Sequence, residues 1–262
     1  GRKRLNIEIG GSIFQLNPTK SNGHSQTVLE LHDPPAAPWN APGKIALQTI
    51  PHPPDTRRFQ GELFFLTAAG LSVVSDIDDT IKVSHVRQRD ELLANTFLRQ
   101  FQAVPGMAEH YRSWAADGAD FHYISASPWQ LYPALHQFFK QENFPDGTFH
   151  LKQFRWKDRS FFDLFKPGEQ TKRQACEDLL RTFPQRKFVF VGDSGEGDPE
   201  LYSSLAQAYP SQVHRIFIRE TRGENDAEKI RLGRVFASLP HSLWQVFKNA
   251  DELPKALNMS GN

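Results

Sequence analysis

Between Leu5 and Leu66 apolar and polar residues follow one another in short alternating or apolar runs, and each run predicts a β-strand. The runs are Leu5–Ile9, Ser12–Leu16, Thr27–Leu31, Lys44–Leu47 and Leu63–Leu66. Asn17-Pro18, Asp33-Pro34-Pro35 and Pro51-His52-Pro53-Pro54 separate them, because proline lacks the amide donor that strands and helices both use. A small antiparallel β-domain over residues 1–70 is the expectation. After Gly70 the periodicity changes to apolar strands at Leu71–Ser75, Phe121–Ile124, Phe188–Val191 and Val213–Ile218. Amphipathic stretches accompany them at Arg89–Phe101, Met107–Asp117, Trp129–Gln141, Gln170–Thr182, Pro199–Tyr209 and Ala227–Ser238. Strands and helices in alternation spell a doubly wound parallel α/β sheet over residues 71–250, followed by a tail, 251–262.

Composition narrows the partners. The 31 Lys and Arg nearly balance the 30 Asp and Glu, so no global field marks a nucleic-acid binder, and recognition must be local. The single cysteine, Cys176, cannot form an internal disulfide and reads as a small buried residue on a helix. No apolar run approaches the roughly 20 residues that span a bilayer, and nothing at the N-terminus has the form of a signal sequence. Gly1 stands where a chain would start with Met, so an earlier leader stays open. The location this suggests is cytoplasmic or peripheral to a membrane. The sequence is silent on oligomeric state.

In such sheets ligands bind beyond the carboxyl ends of the strands. The first strand runs into Asp76-Ile77-Asp78-Asp79-Thr80, three carboxylates at one outlet. Charges this close raise one another's pKa unless a cation relieves them, and hard oxygen ligands suit Mg²⁺; an acidic turn capping a helix is the plainer alternative. The second strand ends at Ser125-Ala126-Ser127-Pro128-Trp129. There, a helix start would hold a phosphate, or Ser127 would serve as an ordinary N-cap with Pro128 at the first helical position. The third opens into Gly192-Asp193-Ser194-Gly195-Glu196-Gly197-Asp198-Pro199, where glycines allow a tight turn and acids face the outlet. As a lone motif this would be a surface turn; it lacks the ligand ladder of a calcium loop.

Taken together, Asp76-x-Asp78-x-Thr80, Ser125, a lysine before the third strand, and Gly192-Asp193 with Asp198 resemble the haloacid dehalogenase superfamily. Over about Gly61 to Arg219 the chain further resembles the catalytic domain of the actin-patch-protein family of phosphatidate phosphatases. The carriers are Ser75-Asp76-Ile77-Asp78-Asp79-Thr80-Ile81-Lys82, Ser125 to Leu131, and Phe183-Pro184-Gln185-Arg186-Lys187-Phe188 leading to Gly192-Asp193-Ser194-Gly195. That family's lysine usually follows a histidine. Here Thr171 precedes Lys172, and Lys166 competes for the role.

The resemblance implies Asp76 as the nucleophile that becomes an aspartyl-phosphate, and Asp78 as proton donor to the leaving alkoxide and then base on water. Ser125 and Lys172 would grip the phosphoryl oxygens. Mg²⁺ would sit on the Asp76 and Asp193 carboxylates and the Asp78 carbonyl, with Asp198 acting through water. Asp79, Thr80 and Ser127 would support the site, while surface roles fit His85 and Arg219. The implied substrate is a lipid phosphate, phosphatidate cleaved to diacylglycerol, with peripheral membrane contact through the aromatic and basic insert Phe154–Lys166. A phosphatase for a soluble phosphometabolite or phosphoprotein, and a catalytically silent binding module, are the alternatives.

Overall fold

The computed structural model describes residues 3–21, 23–31, 43–83, 101–153, 169–221 and 226–257. The helix expected over Arg89–Phe101 lies outside them except for Phe101, as do His85 and the insert Phe154–Lys166 with Lys166. Two compact units divide the chain, one of the residues up to Thr67 together with the segment that starts at Gln153, the other of Ala68–Lys152 and the residues from Phe165 onward.

The first unit is an antiparallel sheet of β1 (Asn6–Ile9), β2 (Ser12–Gln15), β3 (Lys44–Ile50) and β4 (Gln60–Phe64), in the order β2-β1-β3-β4. Gly10 and Gly11 join β1 to β2 with φ of 55° and 85°. Positive φ at both central residues is what a two-residue hairpin needs to match strand twist, and glycine adopts it without a Cβ clash. Ile7 and Ile9 point to the buried face. The strand expected at Thr27–Leu31 does not form. Its neighbour Asn17 donates its amide to the Thr27 hydroxyl at 2.8 Å and its side-chain nitrogen to the Gln26 carbonyl at 2.9 Å, and Val28 is 90% exposed. Thr27, Leu29 and Leu31 are only half-buried, and hydrogen bonds from Asn17 take the place of a strand ladder there.

The second unit is a six-stranded, all-parallel sheet: β5 (Ala69–Asp76), β6 (Ala119–Pro128), β7 (Gly147–Lys152), β8 (Gln185–Asp193), β9 (Val213–Arg219) and β10 (Trp244–Phe247). Its order is β10-β9-β8-β5-β6-β7. Two of these strands, β7 and β10, escape the sequence reading because each is short and only partly apolar. Helices α1 (Met107–Ala116) and α2 (Tyr132–Gln141) cover one face. Helices α3 (Glu169–Thr182), α4 (Asp198–Ala208) and α5 (Asp226–Val235) cover the other. In α1 the buried residues Met107, Tyr111 and Trp114 recur at helical spacing and pack on Val73, Phe121 and Tyr123. Cys176, Leu179 and Leu180 of α3 pack on Val74, Phe188 and Phe190. With both faces covered the central strands read as continuous apolar runs. The result is a doubly wound parallel α/β fold in the second unit, as expected, with a small antiparallel β-sheet in the first.

Candidate active site

β5 and β8 are neighbours in mid-sheet, and each ends on an aspartate, Asp76 and Asp193. From this pair the strand order runs to β6 and β7 on one side and to β9 and β10 on the other. Their carboxyl ends therefore flank the topological switch point, where open α/β sheets take ligands. Burial of Val73, Val74 and Ile77 on both sides of the sheet fixes the chain as it leaves β5, and Asp76 itself is 1% exposed.

Each aspartate has one oxygen tied down and one left over. The Thr80 hydroxyl donates to Asp76 Oδ2 at 3.0 Å, and the Gly195 amide donates to Asp193 Oδ1 at 2.6 Å. Asp76 Oδ1 and Asp193 Oδ2 are buried and accept no hydrogen bond. The Lys172 ammonium lies 2.8 Å from Asp76 Oδ1, an ion pair without hydrogen-bond geometry. Lys172 also reaches Asp198 Oδ1 at 2.8 Å and Glu196 Oε2 at 3.1 Å. Asp198 Oδ2 accepts the Asp193 amide at 3.3 Å. One oxygen from each of Asp76, Asp193 and Asp198 lies within 4.8 Å of the others.

Three buried carboxylates around one ammonium leave a charge deficit. Burial, then the neighbouring carboxylates, push Asp76 well above the ordinary range despite Lys172. Burial and Asp198 lift Asp193 to about 7. Burial would discharge Lys172, but Asp198, Asp76 and Glu196 hold its pKa well above the ordinary lysine value. Buried carboxylate oxygens without partners are costly, and a hard divalent cation among them supplies the missing charge and the missing contacts. The donor set fits a metal ion.

Asp78 faces elsewhere. Lys82 Nζ sits 2.5 Å from its Oδ1, and the hydroxyls of Ser125 and Ser127 donate to its Oδ2 at 2.7 and 3.1 Å. Burial alone would raise its pKa, but Lys82 and the two hydroxyls hold it well below the ordinary carboxylate range. The serines reach it through a register shift in β6. Between Ser125 and Pro128 the pairing with β7 slips, and β6 continues to Pro128. A bulge of this kind re-aims side chains at a sheet's end. Consequently no helix starts at Ser127. A single 3-10 turn, Trp129–Leu131, follows Pro128, and α2 begins at Tyr132 with Leu131 as its N-cap, so the N-cap role expected of Ser127 is corrected. Nor does an acidic helix cap form after β5, where the Asp79 amide donates to the Lys82 carbonyl at 2.8 Å in a tight turn.

Lys172 thus stands at the site on the first turns of α3, whereas its competitor Lys166 lies outside the described residues. Three contributors escape the sequence reading. Lys82 touches Asp78, Thr221 donates to Asp193 Oδ1 at 3.4 Å, and Arg219, expected at the surface, donates to the Asp79 carbonyl at 2.6 Å. Arg219 ends β9 beside Asp193 in register, a position at the carboxyl edge that its place in the strand already signals. Gly192 fits where a larger residue forces a shift: a Cβ there would lie 2.5 Å from Asp198 Oδ2 and 2.7 Å from Tyr202 Cε2.

A doubly wound sheet whose two central strands deliver aspartates to one buried point is the arrangement that the haloacid dehalogenase resemblance implies. Residues 71–220 match the family described as phosphatidate phosphatase APP1, catalytic domain, and the chain belongs to that family. It is 36% identical over 160 residues to phosphatidate phosphatase APP1 of Saccharomyces cerevisiae, covering 59% of this chain and 27% of that protein. An uncharacterized protein of Schizosaccharomyces pombe is 29% identical over 184 residues, 69% of this chain and 30% of the relative. The chain therefore spans less than a third of either relative. Among solved structures, a class C acid phosphatase from Bacillus anthracis with tungstate bound superposes with a TM-score of 0.38 and 14% identity, over 68% of this chain and 66% of that one. Family membership rests on the sequence match alone.

Proposed function

We propose that the chain is a Mg²⁺-dependent phosphomonoester hydrolase that works through an aspartyl-phosphate on Asp76 and converts phosphatidate to diacylglycerol and phosphate. One observation carries the reading: Asp76 and Asp193, on adjacent strand ends, each keep one buried oxygen out of hydrogen bonding, with Lys172 at 2.8 Å from the Asp76 one.

In this reading one oxygen of the Asp76 carboxylate forms the bond to phosphorus while the bond to the leaving alkoxide breaks, splitting one hard displacement into two easier ones. Lys172 and Ser125 hold the phosphoryl oxygens as charge shifts onto them. Asp78 gives a proton to the alkoxide and later takes one from water. Lys82, Ser125 and Ser127 favour its ionised form in the ligand-free fold; a phosphate that draws the Ser125 hydroxyl to itself removes one of those contacts and eases protonation. The carboxylates of Asp76 and Asp193 and the Asp78 carbonyl would hold Mg²⁺, with Asp198 through water. When bound, the ion neutralises repulsion between nucleophile and phosphate. Family membership favours the lipid substrate.

The test is phosphate release with and without Mg²⁺, beside Asp76→Asn, on phosphatidate in mixed micelles and on water-soluble monoesters. The expected result is Mg²⁺-dependent release that prefers phosphatidate and disappears in Asp76→Asn. Indifference to the lipid would favour a soluble phosphate ester, and no release from any substrate would leave a binding module.

A further inference from the structure

We propose that Arg231, on α5 and beyond the residues 71–220 that carry the family match, is a positioning residue that sets the metal-facing loop through a single peptide plane. A guanidinium carries five N–H donors in a fixed planar fork, and here all five are used. Nε and one NH2 hydrogen go to Glu200 Oε1 and Oε2 at 2.9 and 2.7 Å, a bidentate pair. NH1 donates to Glu228 Oε1 at 2.7 Å and to the Ser194 carbonyl at 2.9 Å, and NH2 to the Glu196 carbonyl at 3.1 Å.

The two carbonyls flank Gly195 in the loop between β8 and α4, and Glu200 lies in the first turn of α4, two residues after Asp198. A simple exposed ion pair, worth about 0–1 kcal/mol, would need neither carbonyl. The Ser194 carbonyl belongs to the same peptide group as the Gly195 amide. That group is planar and trans, so its C=O and N–H point in opposite directions. Arg231 holds the carbonyl end, and the amide end donates to Asp193 Oδ1 at 2.6 Å. Fixing one end aims the other and polarises it toward the carboxylate. Asp193 Oδ1 is thereby fixed at the Gly195 amide, which leaves Oδ2 as its oxygen without a hydrogen bond. Lysine keeps the charge but offers no fork, so it cannot hold both carbonyls and Glu200 together.

The inference rests on the proposed phosphatase only for its activity arm; its main readout is binding of Mn²⁺ alone, followed by paramagnetic resonance. In Arg231→Lys the Mn²⁺ dissociation constant should rise about tenfold or more, the usual cost of losing support behind a metal ligand. The Gly195 amide of the metal-free variant should exchange faster with solvent. In the activity arm, the metal concentration for half-maximal rate should rise in parallel, with kcat at saturating metal within about twofold of wild type. Should Arg231→Lys fail to fold, Glu200→Gln decides, because it weakens Arg231's anchorage and leaves Asp193 and both carbonyls in place; a several-fold rise in the Mn²⁺ constant is expected. Mn²⁺ affinity unchanged in the folded variant overturns the proposal, even if melting temperature falls. Wild type that binds Mn²⁺ with Arg231 dependence but releases no phosphate sinks the phosphatase reading alone; an active wild type with Arg231-independent affinity sinks this inference alone.

Discussion

Asp193 shows how burial turns a side chain into a sensor of its ligand. Its carboxyl sits at about 7 against an ordinary 3.8, first through burial and then through Asp198. Between those two values the unfolded chain has released the proton while the fold retains it. The group therefore favours the fold at low pH and loses that contribution as pH rises through 7, at up to about 1.4 kcal/mol per unit. A divalent cation bound there would take the proton's place. Mg²⁺ should accordingly raise the melting temperature more at pH 7 than at pH 5, and equal shifts would mean that the ion binds away from Asp193. At Gly192 the constraint is steric. Gly192→Ala should cost about 1–3 kcal/mol in a denaturant titration and displace Asp198, weakening metal binding with it. The acids were legible because Asp76 and Asp193 close apolar strand runs and Asp198 follows Asp193 in the same glycine-rich turn; Lys82, Thr221 and Arg219 were not, because their contacts join residues far apart or across a turn that only the fold closes.

At the scale of elements, α3 matters for what its first turns bring. Lys172 comes from a helix whose apolar stripe, Cys176, Leu179 and Leu180, seats it on the sheet face that also carries Val74. The lysine is held beside Asp76 by that packing and is 3% exposed. Lys172→Gln should lower kcat/KM for phosphate release by about 10²–10³, the scale for losing one preorganised donor. A loss below about threefold would assign the phosphate to another cation. Hydrophobic period predicted α1 to α5 because each has a single buried stripe. It failed at Thr27–Leu31, where Asn17 hydrogen-bonds the segment and no ladder forms, and at the end of β6, where a bulge carries the strand past Ser127 into a segment that reads as a helix start. Periodicity records which faces are apolar; it does not record register.

Across the whole α/β unit, the two ends of the sheet handle charge in opposite ways. The carboxyl end gathers the acids Asp76, Asp193 and Asp198. Toward the amino end, Arg186 of β8 pairs with Asp120 and donates to the Ser72 hydroxyl at 2.9 Å. His122 lies 3.3 Å from that hydroxyl and 2.7 Å from Thr148 Oγ1. Burial, reinforced by His150 and Arg186, lowers the His122 imidazole to about 3 from an ordinary 6.5. Below pH 6.5 the unfolded chain takes up a proton that the fold refuses, so this group's contribution to stability is lost as pH falls from 6.5 toward 3. Its ring resonances in an NMR titration should stay still between about pH 7 and 5; a midpoint near 6.5 would show that the ring is open to water. The acid-tipped strands β8 and β5 stand third and fourth of six. Each has a strand on both sides, whereas fraying begins at the outermost members, β10 and β7, which have one neighbour each. The rim can peel and reseal while the middle pair keeps its spacing, so the chemistry is insulated from the most restless part of the sheet.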